Sequence, residues 1–153
     1  MKSAATPLLT TSIIVSSLFL SACESGKQPQ RFDELTSQGA HSLCLSQDAS
    51  HAFAGSIHHG GSFWRLQPFD RLYNWNHQAG KNSSIVSCDF SPDGKFVATT
   101  DNRGIALWKT KTGEAVWLWN APGDIHDINL NNNGQYALLA MADYTATLFD
   151  IQN

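Results

Sequence analysis

Apolar and polar positions along the chain alternate in short runs separated by turn residues, and one such unit recurs. Phe90-Ser91-Pro92-Asp93-Gly94-Lys95-Phe96-Val97-Ala98 places a polar turn with Asp-Gly between two apolar runs, the strongest short-range signal of a hairpin. Forty residues later the pattern returns as Leu130-Asn131-Asn132-Asn133-Gly134-Gln135-Tyr136-Ala137-Leu138, and forty-five residues earlier as Leu45-Ser46-Gln47-Asp48-Ala49-Ser50-His51-Ala52-Phe53. The second half of the unit repeats as well: Phe63-Trp64 matches Leu107-Trp108 at a spacing of 44, Leu148-Phe149 follows at 41, and Trp75-Asn76 matches Trp119-Asn120. Pro68-Phe69-Asp70 and Lys111-Thr112-Gly113 supply further turns, so each unit predicts about four short strands. Within 86–90, alternation sets Val86, Cys88 and Phe90 on one face. The run Ala115-Val116-Trp117-Leu118-Trp119 is apolar on both faces, which predicts a strand sandwiched between neighbouring sheets. Trp64, Trp75, Trp108, Trp119 and Phe149 are expected to fill the wedges between sheets as core material.

This pattern resembles the WD-repeat family of β-propellers. The likeness runs from about Ala40 to Asn153 and is best between Ile85 and Asn120. It implies an all-β fold of about three four-stranded antiparallel blades, over residues 40–76, 84–120 and 125–153. The closing Trp-Asp pair of the family reads Trp64-Arg65, Trp108-Lys109 and Phe149-Asp150 here. No Gly-His pair opens the units before Ile85 or Ile125. The tight-turn Asp is kept as Asp143, with His58 and Asn102 at the equivalent places. A weakened hydrogen-bonded buttress in each blade is the expectation.

Ahead of the repeats the pattern changes. Lys2 is followed by an apolar, hydroxyl-rich run from Pro7 to Leu20 with no charge before Glu24, on the scale of a secretory signal. Thr10, Thr11, Ser12, Ser16 and Ser17 make it too dilute for a stable span, which needs about 20 predominantly apolar residues. The run ends in Leu20-Ser21-Ala22-Cys23, which resembles the lipobox of bacterial lipoproteins. That resemblance implies a signal peptide over 1–22, cleavage between Ala22 and Cys23, and acylation of Cys23. Glu24 in place of an Asp implies the periplasmic face of the outer membrane. Residues 23–39 then form the lipidated Cys and a polar tether, and 31–36 could supply an outer strand to a closing blade. Several buried acyl chains hold far more firmly than one, at about 0.8 kcal/mol per methylene.

Composition narrows the function. The chain has 153 residues, 42% of them hydrophobic and 15% charged, with a formal net charge of -3 that becomes -4 once Lys2 is removed. A nucleic-acid partner calls for the opposite sign. His58-His59 invites a metal reading, but adjacent residues of an extended segment point to opposite sides, and no His-Glu-x-x-His or paired Cys accompanies them. Asp124 and Asp127 flank His126 beside the turn Pro122-Gly123, without a Gly-x-Ser-x-Gly elbow or a phosphate-cradling Gly loop. No cofactor, metal or catalytic activity is expected. Export would allow a disulfide between Cys44 and Cys88, whose facing sides are compatible across stacked blades, although two separate buried thiols are the favoured expectation.

The expected function is therefore a protein-interaction scaffold held at the membrane of a bacterial envelope. Its interaction rim would come from loops 76–84, 121–124 and 58–61, with His58, His59, His77, Lys81, Asp124 and His126 as the candidate contacts. The partner would be an envelope protein. An envelope enzyme with a site in the propeller channel, and a truncated product without independent function, are the alternatives. About 113 repeat residues make nearly three blades, whereas propellers close with about four to eight. The chain therefore reads as an N-terminal portion with an incomplete ring, or as a unit that self-associates.

Overall fold

The structure is a computed structural model that describes residues 34–36, 39–78 and 83–151. The signal and lipobox expectations (1–22 and Cys23), like the rim residue Lys81, lie outside the described residues. Eleven strands run in chain order: β1 (Ala40–Leu45), β2 (His51–Ser56), β3 (Gly61–Leu66), β4 (Phe69–Trp75), β5 (Ser87–Phe90), β6 (Phe96–Thr100), β7 (Gly104–Lys109), β8 (Ala115–Asn120), β9 (Ile125–Leu130), β10 (Tyr136–Met141) and β11 (Ala146–Asp150). There is no helix among the described residues. They form three antiparallel sheets, ordered β1-β2-β3-β4, β5-β6-β7-β8 and β9-β10-β11, each a simple meander. The third sheet has three strands rather than four.

The hairpins follow from the repeated turns. Gly94 (φ 71°) and Gly134 (φ 68°) take the left-handed conformation that closes the first hairpin of the second and third sheets. Ala49 holds the same place in the first sheet at φ 54°, a conformation that costs a residue with a Cβ about 1–2 kcal/mol. A side-chain oxygen three residues before the left-handed position secures each turn: the Phe96 N–H donates to Ser91 Oγ at 3.0 Å, the His51 N–H to Ser46 Oγ at 2.9 Å, and the Tyr136 N–H to Asn131 Oδ1 at 2.8 Å.

The first strands of the sheets, β1, β5 and β9, lie beside one another in that order, and two apolar layers fill the spaces between sheets. Between the first and second sheets lie Phe53, Phe63, Trp75, Phe90, Val97 and Trp108, with Trp75 and Trp108 stacked at 5.0 Å between centroids. Between the second and third lie Ala98, Ile105, Leu107, Ile128, Ala137 and Leu139, bordered by Trp117, Trp119 and Phe149. The first interface is built mainly from aromatic rings and the second mainly from aliphatic side chains.

Four expectations change. Cys44 and Cys88 are joined in a disulfide, with their Cα atoms 5.9 Å apart, inside the ordinary range. The two thiols face each other because the inner strands β1 and β5 are neighbours across the first interface. The β8 strand is not sandwiched: Trp117 and Trp119 pack inward, but Val116 and Leu118 are exposed, because the outermost strands of twisted sheets splay apart at the perimeter. Trp64 fills neither wedge. It lies half-buried on the outward face of the first sheet, stacked on Phe69 at 5.2 Å, with the Arg71 guanidinium 5.6 Å from its ring centroid. Residues 34–36 are not a strand. Leu35 and Thr36 line a cleft with Trp64 and Arg71.

Candidate interaction surface

The loops that join β2 to β3, β6 to β7 and β10 to β11 emerge at the same end as the connections between sheets. Backbone hydrogen bonds tie the two sets together. The Gly60 N–H donates to Ser83 O at 2.8 Å, the Ala121 N–H to Arg103 O at 2.8 Å, the Ile125 N–H to Asn102 O at 2.8 Å, and the Ala142 N–H to Asp124 O at 2.8 Å. Segments from all three sheets thus make one continuous, braced rim, which limits the entropy that a docking partner would have to remove.

The second sheet braces this rim from below with a buried polar chain. Asp101 closes the β6–β7 turn by accepting the Arg103 N–H at 3.0 Å and the Gly104 N–H at 2.5 Å through Oδ1. Its Oδ2 faces His77 Nδ1 at 3.3 Å. The other ring nitrogen, Nε2, lies 2.8 Å from Thr99 Oγ1, which also accepts the Trp108 Nε1–H at 2.8 Å. Nε2 shares a hydrogen bond with the Thr99 hydroxyl, whereas Nδ1 meets the Asp101 carboxylate as a close polar contact without hydrogen-bond geometry. The His77 side chain is 4% exposed. The imidazole beside Asp101, helped by the two turn N–H groups, holds that carboxyl at about 2, well below the ordinary 3.8.

This chain corrects the expectation of a weakened buttress in the second unit. The tight-turn acid is Asp101 rather than Asn102, one position further from Trp108, and His77 reaches it across the loop before Ile85. The other two sheets lack such a chain among the described residues. Trp64 Nε1 donates instead to Ser62 Oγ at 2.8 Å, and Leu139 and Phe149 occupy the places of Thr99 and Trp108.

The structure distributes the candidate contacts unevenly. His58 and His59 are exposed at the β2–β3 turn, Asp124 is exposed between the second and third sheets, and His126 is exposed on β9. These four share the rim end. His77 is turned inward and braces the surface instead of facing outward. Two further residues belong to it. Arg103 Nε pairs with Asp124 Oδ1 at 3.0 Å, with both side chains more than half exposed. Tyr144, at φ 69°, projects fully into solvent from the β10–β11 turn. Their turns are the equivalents of 58–61 in the second and third units, where Asn102 and Asp143 hold the place of His58, so the repeat could have pointed to them. Across the rim end of the second sheet, between the connections that precede and follow it, lies a polar cleft of about 430 Å³ lined by Gln78, Ser83, Asn102, Arg103, Asn120 and Asp124 among others. Neither the cleft nor any other cluster of His, Cys, Asp and Glu among the described residues could hold a metal ion.

The architecture can be set against known proteins. The β-propeller domain of Cps50 (Swd1) from Myceliophteria thermophila superimposes with a TM-score of 0.68, at 16% identity, over 79% of this chain and 38% of that one. The fold is that of a β-propeller.

Each sheet is therefore a blade. Two curated relatives match in sequence: eukaryotic translation initiation factor 3 subunit I of Candida albicans, 28% identical over 108 residues, and the human angio-associated migratory cell protein, 30% identical over 91 residues. They support the WD-repeat reading of the blades. The aligned parts cover 66% and 59% of this chain but only 30% and 20% of those proteins, so the chain spans less than a third of their length. No protein-family profile matches the sequence.

Proposed function

We propose that this chain is a non-catalytic interaction scaffold, carried at a bacterial envelope membrane by an acylated Cys23, whose blade rim docks another envelope protein. One observation carries the docking half: loops from all three blades converge on one end and are bonded to one another, and that end presents Arg103, Tyr144, His58 and His59 to solvent. A fully exposed tyrosine and a half-exposed arginine on a rigid frame are the residue types enriched where proteins bind proteins. One relative is by its name a subunit of a larger factor, which is in keeping with a scaffold. The anchor half rests on Leu20-Ser21-Ala22-Cys23 alone, as both relatives are eukaryotic.

The two halves are tested separately. Cys23→Ser should abolish incorporation of labelled fatty acid, and unchanged labelling removes the anchor from the account. For the rim, formaldehyde cross-linking in cells should give an adduct that Arg103→Glu and Tyr144→Ala each diminish at unchanged protein level. An adduct pattern indifferent to both substitutions rejects the docking role.

A further inference from the structure

The rim cleft continues around the second blade into a smaller groove of about 220 Å³, and Gln78, Asp101, Gly104 and Asn120 line both. On its far side the groove is bounded by Ile105 and Leu118. It is built from the connection that enters the second blade and from the β6–β7 turn and β8 strand of that blade, with the first blade before it and the third after. Leu118 is 60% exposed, and the Asp101 side chain 18%. Asp101 Oδ1 accepts the Arg103 and Gly104 N–H groups, while Oδ2 has His77 Nδ1 at 3.3 Å without hydrogen-bond geometry, so acceptor capacity remains there. A Cβ at residue 104 would stand 2.9 Å from Asp101 Oδ1 and 3.0 Å from His77 Nδ1; the glycine keeps the carboxylate within reach of the groove. Arg103 is engaged with Asp124 at 3.0 Å, which leaves Asp101 as the uncompensated carboxylate among the lining residues. Held at about 2, it is ionised at neutral pH. In the first blade Ser56 and Asn74 hold the places of Asp101 and Leu118, so neither the charge nor the apolar surface is a requirement of the blade itself.

We propose that this groove receives an arginine side chain of the docked partner, with its guanidinium against Asp101 and its aliphatic stem along Leu118. The inference rests on the reading that the rim docks a protein, and it names the chemistry of one contact. Charge complementarity selects the occupant. An acidic side chain is repelled by Asp101, and a purely apolar one would strip water from the carboxylate without replacing its hydrogen bonds. A guanidinium does replace them, with charge-assisted bonds from a planar fork, and it is more weakly hydrated than an ammonium. The side-chain amide oxygens of Gln78 and Asn120 add acceptors for the remaining N–H groups. The stem covers the apolar wall while the charged head reaches the polar end. Size agrees: small-molecule sites occupy about 300–1,000 Å³, and a groove of about 220 Å³ is suited to a single side chain.

The test titrates the full-length protein, labelled with 15N and at the leucine methyls with 13C, with N-acetyl-arginine N-methylamide. Saturable shifts should appear at the Gly104 N–H and the Leu118 methyls. The citrulline counterpart, of the same length but uncharged, should bind about tenfold more weakly or worse, as expected for loss of a charge-assisted contact. Asp101→Asn should abolish the response. Because Asp101 also braces its turn, Leu118→Asn gives the second variant: it borrows the side chain of the first blade at an exposed position, and should weaken binding severalfold with the spectrum otherwise unchanged. No saturable shift, equal binding of the citrulline compound, an unaltered affinity in Leu118→Asn, or shifts centred away from the groove overturns the proposal. So does a response that appears only in Lys81→Ala, since this chain would then fill its own groove. The two readings fail separately. A missing arginine response beside an in-cell adduct that still depends on Arg103 and Tyr144 removes the groove and leaves the docking rim; an arginine response beside an adduct indifferent to both removes the docking rim and leaves the groove.

Discussion

Replacing Thr99 by Val probes the polar chain beneath the rim with almost no change in shape. Thr99 is 1% exposed, and its hydroxyl serves both Trp108 Nε1 and His77 Nε2 at 2.8 Å. Valine leaves those two groups without a partner inside the blade, where each unsatisfied group costs about 1–3 kcal/mol. The methyl that replaces the hydroxyl returns about 1 kcal/mol through easier desolvation. The expected net loss is about 1–5 kcal/mol. In urea unfolding followed by far-UV circular dichroism, a slope of about 2 kcal/mol per molar converts this to a midpoint lower by about 0.5–2.5 M. A double-mutant cycle with Trp108→Phe isolates the hydrogen bond from the packing, and should return a coupling of about 1 kcal/mol. A Thr99→Val midpoint within about 0.2 M of wild type, or strictly additive substitutions, would refute the chain as a stabilising unit.

Three further outcomes follow from the same geometry. Cys88→Ser should lower stability by up to about 4 kcal/mol, the loop-closure value for a bond spanning 44 residues, in a denaturant titration under oxidising conditions; a non-reducing mass that shows free thiols in the wild type would contradict the bond. Ala49→Gly should raise the unfolding free energy by about 0.5–1 kcal/mol, since it relieves a left-handed alanine at some entropic cost, and a loss of stability would contradict the assigned turn. Asp101 contributes stability above its ordinary 3.8 and loses it as pH falls toward about 2, because its folded-state value is the lower one. The full linkage is at most about 2.5 kcal/mol, or about 1 kcal/mol after solvent screening, so acid unfolding of Asp101→Asn should be less steep than that of wild type between pH 4 and 2.

Much of the fold was legible because hairpins are local. Asp93-Gly94 and Asn133-Gly134 sit where the backbone needs a left-handed residue, and the apolar runs on either side pair with each other. What was not legible depends on contacts between blades. His77 and Asp101 are 24 positions apart, and only the stacked geometry shows that the ring points inward to the carboxylate instead of outward to a partner. Cys44 and Cys88 occupy opposite faces of equivalent strands, so their meeting follows from which face of each blade is covered, a property of the stack. The same holds for Val116 and Leu118, whose apolar character suggested burial on both sides although the perimeter leaves them exposed. Arg103 and Tyr144 lie in the turns equivalent to 58–61, so the repeat implied their place on the rim, and only their exposure had to be read from the structure.

The docking role of that end is the central claim, and a photo-cross-linking side chain placed in turn at positions 144 and 111 tests it most directly. Tyr144 projects from the rim, and Lys111 is exposed in the turn between β7 and β8 at the opposite end. The account predicts, in intact cells, a discrete adduct with another envelope protein from position 144 and none from position 111. Equal adducts from both positions, or an adduct from position 111 alone, would contradict it.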